Sequence, residues 1–174
     1  MRLFFGLDPT ADDKRAIDSW RSRVATAEGR PVPPANFHIT LAFLGELPER
    51  QLERLCDAVD RLDLPGDREL CLDQVGYWPR PGIFWLGPSA PPTSLSALAG
   101  SLARIGQGLG VRRDRRPFVP HVTLYRGCRQ PPPAPAEPPQ LACRYRGVTL
   151  FASRTAHTGV RYEPLAEWSG SAQR

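Results

Sequence analysis

Two of the chain's three histidines open the same tetrapeptide: His38-Ile39-Thr40-Leu41 and, 83 positions later, His121-Val122-Thr123-Leu124. Imidazole titrates near pH 6.5, so at neutral pH it can give or take a proton. A pair of imidazoles is the equipment for cleaving or transferring a phosphate ester. One activates the nucleophile and the other protonates the departing oxygen. Placed on opposite sides of a phosphorus atom, they permit in-line attack and departure. The threonine two residues on can donate its hydroxyl to a non-bridging phosphoryl oxygen, near where transition-state charge builds. Only 8 of 174 residues are threonine, so chance puts Thr at that offset from two of three histidines in roughly one such chain in 150. A lone histidine is usually structural; the repetition favours catalysis for these two. His157 lacks the spacing, despite Thr155 and Thr158 beside it, and is assigned to a loop.

Each motif lies in a stretch that reads as a β-strand, where side chains alternate between faces. His and Thr then share one face, and the two apolar residues of each motif share the other. Arginines gather near the second motif: Arg115-Arg116-Pro117-Phe118-Val119-Pro120 leads into His121, and Arg126 ends the strand. Guanidinium matches phosphate oxygens better than any other side chain. Arg116 and Arg126 are therefore candidate phosphate ligands, while Arg112, Arg113 and Arg115 read as solvated charges. Phe43 and Tyr125 are the aromatic candidates for substrate contact. Phe43, Tyr77, Trp78 and Trp85 could stack a base, although such aromatics more often belong to the core. No carboxylate or histidine cluster has metal-ligand spacing, so a reaction without metal or other cofactor is expected.

The elements that must position these residues follow from pattern and punctuation. An opening strand covers 2–7. A helix starts at Asp8-Pro9-Thr10-Ala11-Asp12-Asp13, with cap candidates and first-turn acids, and runs to about 26. Residues 28–34 form a stiff loop into the first motif strand, about 36–44. A second helix opens at Leu47-Pro48-Glu49-Arg50 and reaches about 62. Strands follow at about 68–76 and 82–87, then a helix at about 93–109, ended by Gly108 and Gly110. A basic loop over 112–120 enters the second motif strand, about 121–126. Residues 130–140, with six prolines in 11 positions, read as an extended, mobile surface loop. The last strands fall at about 142–152 and 159–167. This order predicts an α+β fold: one domain over 1–174, built from two similar lobes, with two antiparallel-type sheets lining a central cleft and helices outside.

Composition sets outer bounds. Hydrophobic residues at 41% and charged residues at 24% fit a globular protein with a proper core. The net charge of +5 is almost all arginine, Lys14 being the only lysine; it suits an anionic substrate and falls short of a bulk nucleic-acid coat. The apolar start is too short for a signal peptide and no run reaches transmembrane length, so a cytoplasmic location and no membrane partner are expected. The four scattered cysteines, Cys56, Cys71, Cys128 and Cys143, read as free thiols. A monomer is expected.

The motifs resemble those of the two-histidine (2H) phosphoesterase superfamily, defined by paired His-x-Thr-x. The match narrows to its bacterial RNA 2′,3′-cyclic phosphodiesterases, also called 2′-5′ RNA ligases. It runs through Arg2-Leu3-Phe4-Phe5, Gly29-Arg30-Pro31-Val32, Asn36-Phe37 with His38 through Glu46, Trp85-Leu86-Gly87, Arg116-Pro117-Phe118, and Arg161-Tyr162 followed by Pro164-Leu165. The resemblance implies a bilobal duplicated α+β fold. It implies RNA ends carrying a 2′,3′-cyclic phosphate, or nucleotide analogues, as partners, and hydrolysis to a 2′-phosphate. It also implies His38 as proton donor, His121 as proton acceptor, and Thr40 and Thr123 as phosphate holders. Reversible 2′-5′ RNA ligation at the same site is implied as well. Two rivals stand beside it: a 2H enzyme for a small cyclic nucleotide or ADP-ribose cyclic phosphate, and a non-catalytic RNA-end binding protein. A protein that needs more of an RNA chain should lose affinity as salt rises, because binding releases counterions; a small-substrate enzyme should not.

Overall fold

The structure is a computed structural model and describes residues 1–64, 66 and 69–170. It is an α+β fold. The strands are β1 (Arg2–Leu7), β2 (Arg30–Pro31), β3 (Ile39–Glu46), β4 (Glu69–Leu72), β5 (Gln74–Trp78), β6 (Ile83–Gly87), β7 (Val122–Arg126), β8 (Leu141–Arg144), β9 (Val148–Ala156) and β10 (Gly159–Trp168). The helices are α1 (Ala11–Val24), α2 (Leu52–Asp60) and α3 (Thr93–Gly108). Eight strands form one antiparallel sheet in the order β10-β9-β1-β3-β7-β6-β5, with β2 alongside β7; β4 and β8 make a separate ribbon.

The sheet has a natural midline. β3 and β7, the two motif strands, meet through a single paired rung, Ile39 with Val122. On one side β3 pairs β1, and on the other β7 pairs β6, so each motif strand has its own flanking partner. Ile39, Leu41, Val122 and Leu124 are buried in the core. α3 lies along β3 so closely that a Cβ on Gly106 would fall 2.8 Å from a methyl of Leu44.

Several elements differ from the sequence reading. The expected strand over 142–152 is two strands, because the chain leaves the ribbon after Arg144 and re-enters the large sheet at Val148. The strand expected from 68 to 76 likewise divides between ribbon and sheet; position 68 itself lies outside the described residues. The loop over 28–34 contains β2, tied to β7. The proline-rich segment has no regular structure, as its composition dictates, but it is fastened to α1. Trp20 donates its indole N–H to the Glu137 carbonyl at 3.2 Å, Arg23 pairs with the Glu137 carboxylate at 2.8 Å, and the Ala136 N–H reaches the Val24 carbonyl. All four cysteines are free.

α1 begins at the Thr10 cap, whose hydroxyl accepts from the Asp13 N–H. Its inward stripe is Asp13, Ile17, Trp20 and Arg21. Of its two charged members, Asp13 pairs with Arg144 and Arg21 braces the motif strands from behind. Its Nη1 donates to the Val32 carbonyl at 2.7 Å and the Leu124 carbonyl at 2.9 Å, and its Nη2 pairs with Asp18. The guanidinium stacks over Phe37, the residue before His38, at 4.8 Å, and over Tyr125 at 5.5 Å. A hydrogen bond from a charged donor is worth about 1.5 kcal/mol or more when buried. Arg21→Met, losing two, should lower the unfolding free energy by about 3 kcal/mol in denaturant titration, with Arg21→Lys losing less; a loss below about 1 kcal/mol would show that Arg21 does not brace the strands.

Candidate active site

The single rung between Ile39 and Val122 fixes how the motifs face each other. In an antiparallel register set by that pair, His38 stands opposite Thr123, and Thr40 opposite His121. The four side chains make a square on the sheet face away from Ile39 and Val122, each histidine diagonal to the other.

Both histidines are held the same way. The Nδ1 of His38 lies 2.8 Å from the Asn36 carbonyl oxygen, and the Nδ1 of His121 lies 2.8 Å from the Val119 carbonyl oxygen. A carbonyl can only accept, so each Nδ1 carries a hydrogen. That leaves each Nε2 as the working atom: a lone pair when the ring is neutral, an acidic N–H when it is charged. The Nε2 of His38 is 3.0 Å from the Thr40 hydroxyl. Among the described residues nothing bonds the Thr123 hydroxyl, which is open to a ligand.

Aromatic rings wall each imidazole. His38 packs against Phe4 at 4.9 Å and the edge of Tyr162 at 4.8 Å, with Phe151 behind. His121 packs edge-on to Trp78 at 4.6 Å, with Trp85 at 6.1 Å. The buried Trp85 lies across Gly76, its cross-strand partner, where a Cβ would fall 2.1 Å from the indole. Only glycine leaves room for that ring, a pairing of aromatic and strand glycine that recurs in sheets. Tyr77 is not at the site: its hydroxyl bonds the Cys128 carbonyl and its ring packs on the core.

Each motif strand carries an extra residue directly after its threonine. β1 pairs Gly6 with Thr40 but Phe5 with Ala42, passing over Leu41. β6 pairs Trp85 with Thr123 but Phe84 with Tyr125, passing over Leu124. Such a bulge inverts the alternation beyond it. The fifth residue after each histidine, which strict alternation would put on the far face, returns to the site face. In β3 that residue is Phe43, paired with Phe4 and 58% exposed. In β7 it is Arg126, whose charge is felt by both histidines. Phe43 and Arg126 therefore join the four motif residues.

Two candidates do not. Tyr125 is turned into the core by the β7 bulge, stacked on Phe84 and over Arg21, and is not a substrate contact. Arg116 is held by Asp114 through a two-point pair, Nη2 to Oδ2 at 2.7 Å and Nε to Oδ1 at 3.0 Å, and no contact carries it to the histidines. An acid two residues away outcompetes a distant site for an exposed guanidinium. The sequence reading missed Phe4, Phe151 and Tyr162, which belong to strands distant in the chain. It also missed Arg21, whose signal was a charge in an apolar helical stripe. His157 sits at the exposed turn between β9 and β10. Among the described residues no group of three or more His, Cys, Asp or Glu side chains could hold a metal ion.

The site is a neutral-imidazole environment. Burial pushes His38 down to about 4; the charges of Arg126, His121 and Lys14 push the same way, against the Asn36 carbonyl bond. Burial also lowers His121, aided by Arg126 and opposed by the Val119 carbonyl. An anion between the rings would reverse both shifts by pairing with the charged forms. With nothing bound, the unfolded chain protonates position 38 near pH 6.5 and the folded protein only near 4. This histidine's contribution to stability is therefore complete above pH 6.5 and is lost as the pH falls through that window.

Known proteins of similar sequence and structure place the chain in a family. The LigT like Phosphoesterase family model matches the chain twice, over residues 7–85 and 86–162. The chain belongs to this family. It is 38% identical to the RNA 2′,3′-cyclic phosphodiesterase of Escherichia coli, over 97% of this chain and 96% of that one. It is 33% identical to the enzyme of the same name from Thermus thermophilus, over 97% and 90%. The crystal structure of E. coli LigT complexed with 3′-AMP superposes with a TM-score of 0.89 at 36% identity, covering 98% of both chains. The same protein complexed with phosphate gives 0.84 at 34% identity, over 98% of this chain and 97% of that one.

The electrostatics are testable in the free protein. In a proton NMR titration His38 should titrate near 4 and His121 below 6.5. Arg126→Met should raise both, since it removes a shared positive neighbour. Histidine titrations unmoved by that substitution would separate Arg126 from the site.

Proposed function

We propose that the protein is an RNA 2′,3′-cyclic phosphodiesterase that opens a terminal cyclic phosphate to a 2′-phosphate by two-histidine acid–base chemistry. The observation that carries the reading is the square of His38, Thr40, His121 and Thr123, with both Nε2 atoms freed for catalysis by carbonyl bonds at Nδ1. The names of the relatives supply the substrate: two enzymes matched over nearly the whole chain are RNA 2′,3′-cyclic phosphodiesterases. The twice-matching family model supports reading residues 1–174 as one domain of two similar lobes.

In this reading the cyclic phosphate sits between the two imidazoles. The threonine hydroxyls and Arg126 receive the non-bridging oxygens. His121 takes a proton from water as its oxygen bonds to phosphorus. The bond from phosphorus to the 3′ oxygen breaks, and His38 delivers its proton to that oxygen. The products are a 3′-hydroxyl and a 2′-phosphate. The two histidines are held alike, so their assignment as donor and acceptor rests on the family resemblance. Phosphate binding brings His38 into its charged form, because the anion offsets the burial that keeps the ring neutral. A 5′-hydroxyl in place of water would form a 2′-5′ linkage by the same steps. Phe43, exposed beside Phe4, offers a face for the terminal base.

Single-turnover reaction of a short RNA ending in a 2′,3′-cyclic phosphate should proceed in EDTA and leave the phosphate on the 2′ oxygen. A 3′-phosphate product would mean that the 2′ oxygen departs and would contradict His38 protonating the 3′ oxygen, and activity restored only by a divalent ion would contradict catalysis by the imidazole pair. Thr123→Val should lower kcat by about tenfold to a hundredfold by removing a donor to the phosphoryl oxygen; an unchanged rate would remove Thr123 from the mechanism.

A further inference from the structure

Arg30 and Arg126 are direct cross-strand partners in the β2–β7 pair, so their side chains leave the sheet on the same face, side by side. Like charges directly opposite each other destabilise a strand pair. Both residues are exposed, and among the described residues neither guanidinium meets a carboxylate within 4 Å. Glu28, the acid nearest Arg30 in sequence, is turned away and accepts from the N–H groups of Arg129 and Gln130. The Arg30 guanidinium lies instead against Gly127, which has φ 68°; a Cβ there would stand 3.2 Å from Nη1. The protein thus keeps two cations adjacent, without internal neutralisation, at the end of a catalytic strand.

The two are not equivalent. The charge of Arg126 reaches both histidines, whereas that of Arg30 registers at neither. From the reacting centre outward the order is imidazole pair, Arg126, Arg30. An anion held at Arg30 is therefore not the phosphate undergoing reaction.

We propose that Arg30 binds a second, non-reacting phosphate, the phosphodiester that joins the cyclic-phosphate nucleotide to the rest of the RNA chain, while Arg126 beside it serves the reacting one. The inference rests on the function proposed above and adds a specificity-determining residue, one that favours an oligonucleotide end over a mononucleotide. Guanidinium suits this role because it forks onto two phosphate oxygens at once. Two anions, one at each guanidinium, offset the like-charge pairing of Arg30 with Arg126.

The test compares adenosine 2′,3′-cyclic phosphate, which has one phosphate, with a dinucleotide ending in the same group, which has two. For the unsubstituted protein the logarithmic salt dependence of kcat/KM should be steeper on the dinucleotide by about 0.7, the increment for one further single-strand phosphate contact. In Arg30→Met the preference for dinucleotide over mononucleotide should fall about tenfold, through KM, and the extra salt dependence should vanish. Arg30→Lys should recover part of the preference. An unchanged ratio in Arg30→Met overturns the proposal. If that variant does not fold, equal salt slopes for the two substrates in the unsubstituted protein overturn it instead. Turnover of neither substrate would sink the function proposed above along with this site.

Discussion

The single rung between Ile39 and Val122 is the contact on which the rest depends. Among the described residues it is the only rung that joins β3 to β7, and it sets the register of everything that projects from them. Because strand faces alternate, one buried pair on the core side decides which four side chains face each other on the other side. A slip of one residue in either strand would turn that strand's histidine toward the core. The register is defended from behind: Ile39 and Val122 are fully buried, and Arg21 reaches across to the Val32 and Leu124 carbonyls.

The same pair of strands explains the site's electrostatics. Two imidazoles, Arg126 and the nearby Lys14 share one region. Burial among Phe4, Tyr162, Trp78 and Trp85 disfavours the charged form of each imidazole, Arg126 adds to this at both, and Lys14 adds to it at His38. In the proposed reaction an anionic substrate would favour protonation of an imidazole, so that binding and activation of the acid would be one event. The carbonyl partners at Asn36 and Val119 keep each ring in the one tautomer that can serve either role.

Much of this was legible in the chain. The repeated His-x-Thr spacing identified the four central residues, because a period of two is enough to place a pair on one strand face. Helix starts and ends were legible from Thr10, Asp12 and Asp13, and from Gly108 and Gly110 at the end of α3. Phe43 and Arg126 were expected at the site, but alternation alone would have put both on the wrong face; the bulges at Leu41 and Leu124 correct this, and a bulge has no local sequence signal here. The β7 bulge also carries Tyr125 into the core, where the same reading expected a substrate contact. Arg116 was expected for its composition and lost to Asp114, a competition that only side-chain placement reveals. Phe4, Phe151 and Tyr162 became part of the site through long-range strand pairing, which no window along the chain contains.

The account stands on the two imidazoles acting as one catalytic unit, and a mutant cycle in single-turnover kinetics measures this directly. His38→Ala and His121→Ala should each slow cleavage of a cyclic-phosphate-ended RNA about a hundredfold or more, and the double variant should be little slower than the worse of the two. Losses that add in full would mean that the histidines work independently, and the central claim would be wrong.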